Sequence, residues 1–421
     1  MTTPVNRDAA CALAALLQSW VARKAVTAEG IPGPLDDGVF ALARRNRLTP
    51  LLALCLHESA GDLGSRCVTD YRFALLQGMG QLQAGCALSG AMRDAGIPTL
   101  AVRGPFAAVG WYGDAGARFS TDVDLLVPRA QREAARAVAS VQGFRLRAPD
   151  VPAWLYTRNH YHWSLVRAAD GLLCDLHWAL DHRYALIRVD YAAVFSGAQE
   201  ARTEGGAWCE PAPEHQLLGA CLHLSREIWD AAAIAADAEG FAEAAGRGSL
   251  LLWMDVAAII RRYGRGLDWD RIVQIAGAWR MRRELAVGLR GAQGWFGAAV
   301  PCEVASQAAG ILAREGGRTL WTGYERQPWV QRWALQPGWR SMMVRFGVPC
   351  LCPARGYLRA RSRMGRAAER VVRLPVAVAR LADGVAADFA ARGWSMTRRV
   401  WHAVCARGEG CGRPARKEVR A

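Results

Sequence analysis

Two aspartates one residue apart lie near the end of residues 103–127, RGPFAAVGWYGDAGARFSTDVDLLV. Asp122 and Asp124 sit in an apolar run with Val123, Leu125, Leu126 and Val127, a pattern that predicts a strand. Alternation along a strand sends both carboxylates to one face. Their repulsion calls for a cation between them, and a divalent metal with oxygen ligands is the chemistry this pair suggests. A third carboxylate, Asp175, lies in CDLHWAL, where Leu173, Asp175 and His177 share one face of a second strand. Three carboxylates on adjacent strands can hold two divalent cations, which stabilise the attacking and leaving oxygens of an in-line phosphoryl displacement.

The elements that must hold these residues change character along the chain. Residues 1–96 read as a helical domain, with apolar residues at helical spacing over 9–21, 39–57 and 71–95. Arg44, Arg45 and Arg47 form a charge run there and read as a solvated face. At Gly96-Ile97-Pro98 the period shifts. A short strand over 99–102 is broken by Gly104-Pro105, and a helix starts with Pro at its first position, so that backbone N–H groups above the strand ends suit a phosphate. The strand of Asp122, a helix over 129–141 and a hairpin follow. The hairpin joins 162–166 to 172–178 through Ala168-Ala169-Asp170-Gly171. The fold class is α+β: a small mixed-sheet core over 97–205, flanked by helical domains over 1–96 and 206–315 and by a basic region over 316–421.

The chain of 421 residues carries a net charge of +15, and residues 331–421 hold 18 Arg and one Lys against five acidic residues. This tail, with an Arg-rich helical stretch over 357–381, could meet nucleic acid, an anionic membrane surface or an acidic partner; docking on the core with solvated charge is the favoured expectation. No apolar run reaches the roughly 18 residues of a membrane span, and the N-terminal stretch has no leader pattern, so a cytoplasmic protein is expected. Cys350-x-Cys352 and His402, Cys405 and Cys411 lack zinc-site spacing, and most of the 12 cysteines are expected to be reduced and buried.

The stretch RGPFAAVGWYGDAGARFSTDVDLLV followed by CDLHWAL resembles an uncharacterised nucleotidyltransferase family of the polymerase-beta-like superfamily. That superfamily has a glycine turn at a helix N-terminus, an aspartate-x-aspartate strand and a third acidic residue on a later strand, matched here by Gly104, Asp122 with Asp124, and Asp175. PEHQLLGACLHL, WMDVAAII and LDWDRI resemble the helical region that follows the core, and the similarity covers roughly residues 35–310. The superfamily turn is usually Gly-Ser or Gly-Gly; here it is Arg103-Gly104-Pro105, without the serine hydroxyl.

The resemblance implies transfer of a nucleoside monophosphate from a nucleoside triphosphate to an acceptor, with release of pyrophosphate. Asp122, Asp124 and Asp175 would be catalytic and would hold two Mg²⁺ ions, with Mn²⁺ as a substitute. Arg103, Gly104, Arg118 and Ser120 would bind the nucleotide, and His177 would orient the acceptor. The acceptor could be a small molecule, sugar, peptide or protein. Two alternatives stay open at this level: a glycosyltransferase using Asp122-x-Asp124 on a nucleotide sugar, and a non-catalytic binding module with the tail as its contact. The first would be expected to carry a larger doubly wound unit before the motif.

Overall fold

The computed structural model describes residues 6–24, 31–32, 34–56, 61–147, 157, 161–181, 187–228 and 235–315. The basic tail, the cysteine and histidine sets within it, and the helical stretch over 357–381 lie outside the described residues. A five-stranded mixed sheet forms the centre. Its strands are β1 (Leu100–Ala101), β2 (Asp122–Leu126), β3 (Phe144–Leu146), β4 (His162–Arg167) and β5 (Leu173–His177), in the spatial order β1-β2-β5-β4-β3. β2 and β5 are parallel, and every other pairing in this sheet is antiparallel. The architecture is α+β, as the sequence pattern implies.

The expected hairpin is β4–β5, turned through Gly171 at φ +75°. Three strands were not anticipated from the sequence pattern: β3, and the β6 (Gln199–Thr203) and β7 (Gly206–Glu210) of a separate hairpin. β6 reads QEART, with no apolar alternation to announce it. The helix expected after Gly104 is short. α5 (Pro105–Ala107) passes at once into a π-helical turn, Ala108–Tyr112, which ends at Gly113 with φ +80°.

Helices precede and follow the sheet. α1 (Arg7–Val21) is capped by the Asn6 side chain, and α2 (Asp37–Arg45) by that of Asp36. The single pattern over 39–57 is split, because the chain turns at Asn46 to Leu48 before α3 (Thr49–Leu56). α4 (Gly61–Asp94) is one long helix that starts well before the expected residue 71. α6 (Arg132–Val141) packs on the sheet, whereas α7 (Tyr191–Ser196) buries Val194 in the larger core of helices. The later helices are α8 (Pro213–Glu227), α9 (Ala238–Arg247), α10 (Leu250–Tyr263), α11 (Trp269–Ala278), α12 (Arg282–Phe296) and α13 (Cys302–Glu315).

Burial follows from these patterns. One face of the sheet, with Val123, Leu125, Cys174 and Leu176, packs against Leu88 and Met92 of α4 and Ala135 and Ala139 of α6. A second, larger core joins the N-terminal helices to the later ones: Leu13, Leu52, Leu217, Trp253 and Phe296 belong to it. At its centre α10 is buried from Leu250 through Ile260 on all sides, as an apolar helix without a solvent face must be. The opposite face of β2 and β5 looks into a cleft between sheet and helices.

Candidate active site

The parallel register of β2 and β5 sets Asp124 directly beside Asp175, and Asp122 beside Leu173. Period-2 alternation then places Asp122, Asp124, Asp175 and His177 on the cleft side, while their neighbours Val123 and Cys174 are buried in the sheet core. The cleft has a volume of about 510 Å³ and is lined by all four residues.

The two central carboxylates differ sharply in environment. Asp124 accepts from Arg103 Nη2 at 3.0 Å, and His177 Nε2 lies 2.8 Å from the same Oδ1. Burial alone would raise its pKa, but the Arg103 charge and the His177 hydrogen bond outweigh burial and hold it well below the usual carboxylate range. Among the described residues, Asp122 has only the Thr121 hydroxyl as a side-chain partner, at 3.1 Å from Oδ1. Burial, then the charges of Asp124 and Asp175, push its pKa up to about 6. Asp175 is likewise raised to about 6, by burial and then Asp124. His162 Nε2 stands 3.4 Å from Asp175 Oδ2.

Half-buried carboxylates with raised pKa values form a site short of positive charge. One ligand atom from each of Asp124, Asp175 and His177 lies within 4.8 Å of the others, close enough to share an ion. His177 is 1% exposed, and its Nδ1 has no hydrogen-bond partner among the described residues. Oxygen donors with one imidazole suit Mg²⁺ or Mn²⁺, so the residues present fit a divalent cation. The geometry thus groups His177 with the carboxylates.

The glycine of the turn has a steric reason. A Cβ on Gly104 would lie 2.6 Å from the Asp122 carbonyl oxygen and 3.2 Å from the Asp124 nitrogen, and its φ is +69°. Only glycine lets the turn approach the strand that carries both aspartates.

A family model described as an uncharacterised nucleotidyltransferase matches residues 35–297. The chain belongs to that family. Its membership supports nucleotidyl transfer as the general chemistry and a nucleotide as substrate. No curated protein gives a match.

The remaining expected residues of this nucleotidyltransferase sit at the cleft in different roles. Arg118 lines it, but its guanidinium is bound to Asp255 of α10 through Nε to Oδ1 at 2.7 Å and Nη2 to Oδ2 at 2.9 Å, and Tyr112 Oη donates to Oδ1 at 2.8 Å. Ser120 donates its hydroxyl to the Asp122 carbonyl at 2.9 Å, and its own carbonyl accepts from Gln77 of α4 at 3.0 Å. Both residues hold the loop that delivers β2.

Several cleft residues were missed by sequence reasoning. His162 was available as a signal, since it opens the strand that pairs with β5 and its register partner is His177. Tyr161 stacks on His177, with ring centroids 5.8 Å apart, and Arg226 lies 5.0 Å above the Tyr161 ring. His223 also lines the cleft; burial, then Arg103 and Arg226, lower its pKa well below the ordinary value and keep it neutral. Among the described residues, no helix is long and apolar enough to cross a membrane.

Proposed function

We propose that this protein transfers a nucleoside monophosphate from a nucleoside triphosphate to an acceptor hydroxyl, releasing pyrophosphate, with Mg²⁺ or Mn²⁺ bound at the carboxylate floor. One observation carries the reading. Asp124 and Asp175 are neighbours in a parallel register, with Asp122 two residues away on the same face, in a chain of a nucleotidyltransferase family.

Asp122, Asp124 and Asp175 would hold two ions, and His177 is placed to join them. When bound, the ions supply charge neutralisation on the triphosphate and activation of the attacking oxygen. The chain's own residues do the rest. Asp175 presents a carboxylate oxygen for the acceptor proton, and His162 beside Oδ2 can take up or return it. Arg103, held at the floor by Asp124, faces the same cleft and can turn toward phosphate oxygens. Gly104 keeps the backbone against β2. The acceptor is a small molecule, sugar, peptide or protein side chain that enters from the open side of the cleft. The eight described cysteines are free thiols.

Calorimetric titration with ATP, CTP, GTP and UTP, with and without Mg²⁺, tests the reading. Metal-dependent binding of at least one triphosphate, lost in the Asp122→Asn/Asp124→Asn variant, is expected. A folded protein that binds none of the four would overturn it.

A further inference from the structure

Arginines also line the cleft away from its carboxylate floor. Four of its arginines are ion-paired: Arg103 to Asp124 at 3.0 Å, Arg118 to Asp255 at 2.7 Å, Arg247 to Glu243 at 2.6 Å and Arg226 to Glu227 at 3.0 Å. Arg47 is not. It lines the cleft, and its side chain has no ion-pair or hydrogen-bond partner among the described residues. Partial desolvation, and then the charge of Arg118, lower its pKa, so an anion beside it would be welcome.

The position of Arg47 is built rather than incidental. Its φ is +59°, a left-handed conformation that usually goes to glycine where a helix ends. The neighbouring Asn46, 0% exposed, fixes this turn. Its Nδ2 donates to Leu42 O at 2.8 Å and to Ala245 O at 2.9 Å, and its Oδ1 accepts from Leu250 N at 2.9 Å. The end of α2 is thereby latched to the junction of α9 and α10, and Arg47 is carried to the cleft. Arg23 and Arg280 adopt the same conformation after other helices, so what sets Arg47 apart is its place on the cleft lining.

Arg226 enters from α8. Its Nη1 reaches Leu180 O at 3.4 Å, its Nε reaches Glu227 at 3.0 Å, and its plane lies over Tyr161. The glycine turn leaves the phosphates short of partners: α5 has three residues and Pro105 lacks an N–H, so the backbone cannot supply a full helix N-terminus. Side chains must carry that load.

We propose that Arg47 and Arg226, one from each helical flank, form a polyphosphate subsite that takes the distal phosphates of the donor while the carboxylate floor holds the metal end. The proposal rests on the nucleotidyltransferase reading and names how the donor is held. It converts a run of arginines that reads as solvated surface into a ligand site at one position of three.

Titration of the full chain with inorganic tripolyphosphate and with the triphosphate that binds best, at saturating Mg²⁺, tests the proposal. Arg47→Gln is expected to weaken both by about tenfold or more, the loss of charge-assisted hydrogen bonds to phosphate. Arg44→Gln removes the same charge from the last turn of α2, three residues earlier and outside the cleft, and is expected to stay within about twofold, as surface charges do under salt screening. Mn²⁺ affinity, read by electron paramagnetic resonance without nucleotide, is expected to be unchanged or slightly tighter in Arg47→Gln, which shows an intact floor. Arg226→Lys keeps the charge but loses the planar fork, and is expected to give a smaller loss than Arg226→Gln. Equal effects of Arg44→Gln and Arg47→Gln, or none from Arg47→Gln, would overturn the subsite while leaving metal-dependent nucleotide binding in place. A wild-type protein that binds tripolyphosphate through Arg47 but no nucleoside triphosphate would instead keep the subsite and remove the nucleotidyltransferase reading. Binding of neither overturns both.

Discussion

Asp122 and Asp124 are two residues apart on one strand, yet substituting each with asparagine should move stability in opposite directions. Asp122 has a folded pKa of about 6 against an ordinary value of 3.8. Its ionised form is therefore disfavoured in the metal-free protein: the cost is absent below about pH 4, grows between about pH 4 and 6, and is complete above 6. A shift of about 2 units corresponds to about 3 kcal/mol above pH 7, reduced to about 1–2 kcal/mol by solvent in the open cleft. Asp122→Asn removes that cost. The EDTA-treated variant should be more stable than wild type by about 1–2 kcal/mol at pH 8 and no more stable at pH 4. Asp124 is the reverse case. Arg103 and His177 hold its pKa well below normal, so Asp124→Asn leaves Arg103 buried beside a neutral amide and should cost about 3–5 kcal/mol at pH 8. Urea unfolding of both variants at pH 4, 6 and 8 reads these differences. Addition of Mn²⁺ should then stabilise wild type by about 2.7 kcal/mol at 100 times Kd and leave Asp122→Asn nearly unmoved. An Asp122→Asn variant that is less stable than wild type at pH 8 without metal would refute the charge-crowding argument.

Divalent-metal affinity should fall below pH 6, because Asp122 and Asp175 must each give up a proton; the expected loss approaches tenfold per pH unit per displaced proton, and calorimetry in buffers of different ionisation enthalpy should register proton release near pH 6. Gly104→Ala should cost about 1–3 kcal/mol and weaken metal binding, since its Cβ would meet the Asp122 carbonyl at 2.6 Å; thermal unfolding and Mn²⁺ titration check it. Asp255→Asn should lose about 3–5 kcal/mol by stranding the Arg118 guanidinium, and Arg118→Met/Asp255→Leu should recover much of it in urea melts.

The parts of the site written in local pattern could be read from sequence. Asp122-x-Asp124 and CDLHWAL announce strands with one polar and one apolar face, and the hairpin announces itself through its turn. Which edges meet cannot be read this way: nothing local states that β5 lies parallel to β2, and that register alone places His177 against Asp124. The ion pair of Arg118 could not be read locally, because its partner lies 137 residues away on a helix that reads as pure core. Arg47 is exposed, as a surface residue is, and only its place on the cleft lining sets it apart. The latch that aims it spans 199 residues, from Asn46 to Ala245, and has no periodic signature. Short polar strands such as β6 left no trace, because their pairing is tertiary and their pattern is absent.

The shared core of early and late helices also has a consequence for synthesis. Gln18 of α1 donates to Trp295 O at 3.0 Å, and Arg261 Nε donates to Trp20 O at 2.9 Å. At roughly 5–20 residues per second on the ribosome, α1 waits on the order of 15–50 s before α12 has been made. Throughout that interval the apolar faces of α1 to α3 lack their final cover, whereas the strands of the sheet can pair as soon as β5 has emerged. The nascent chain thus assembles its carboxylate floor before it can bury its first helices, and its yield in a cell should depend on whatever shields those helices in the meantime.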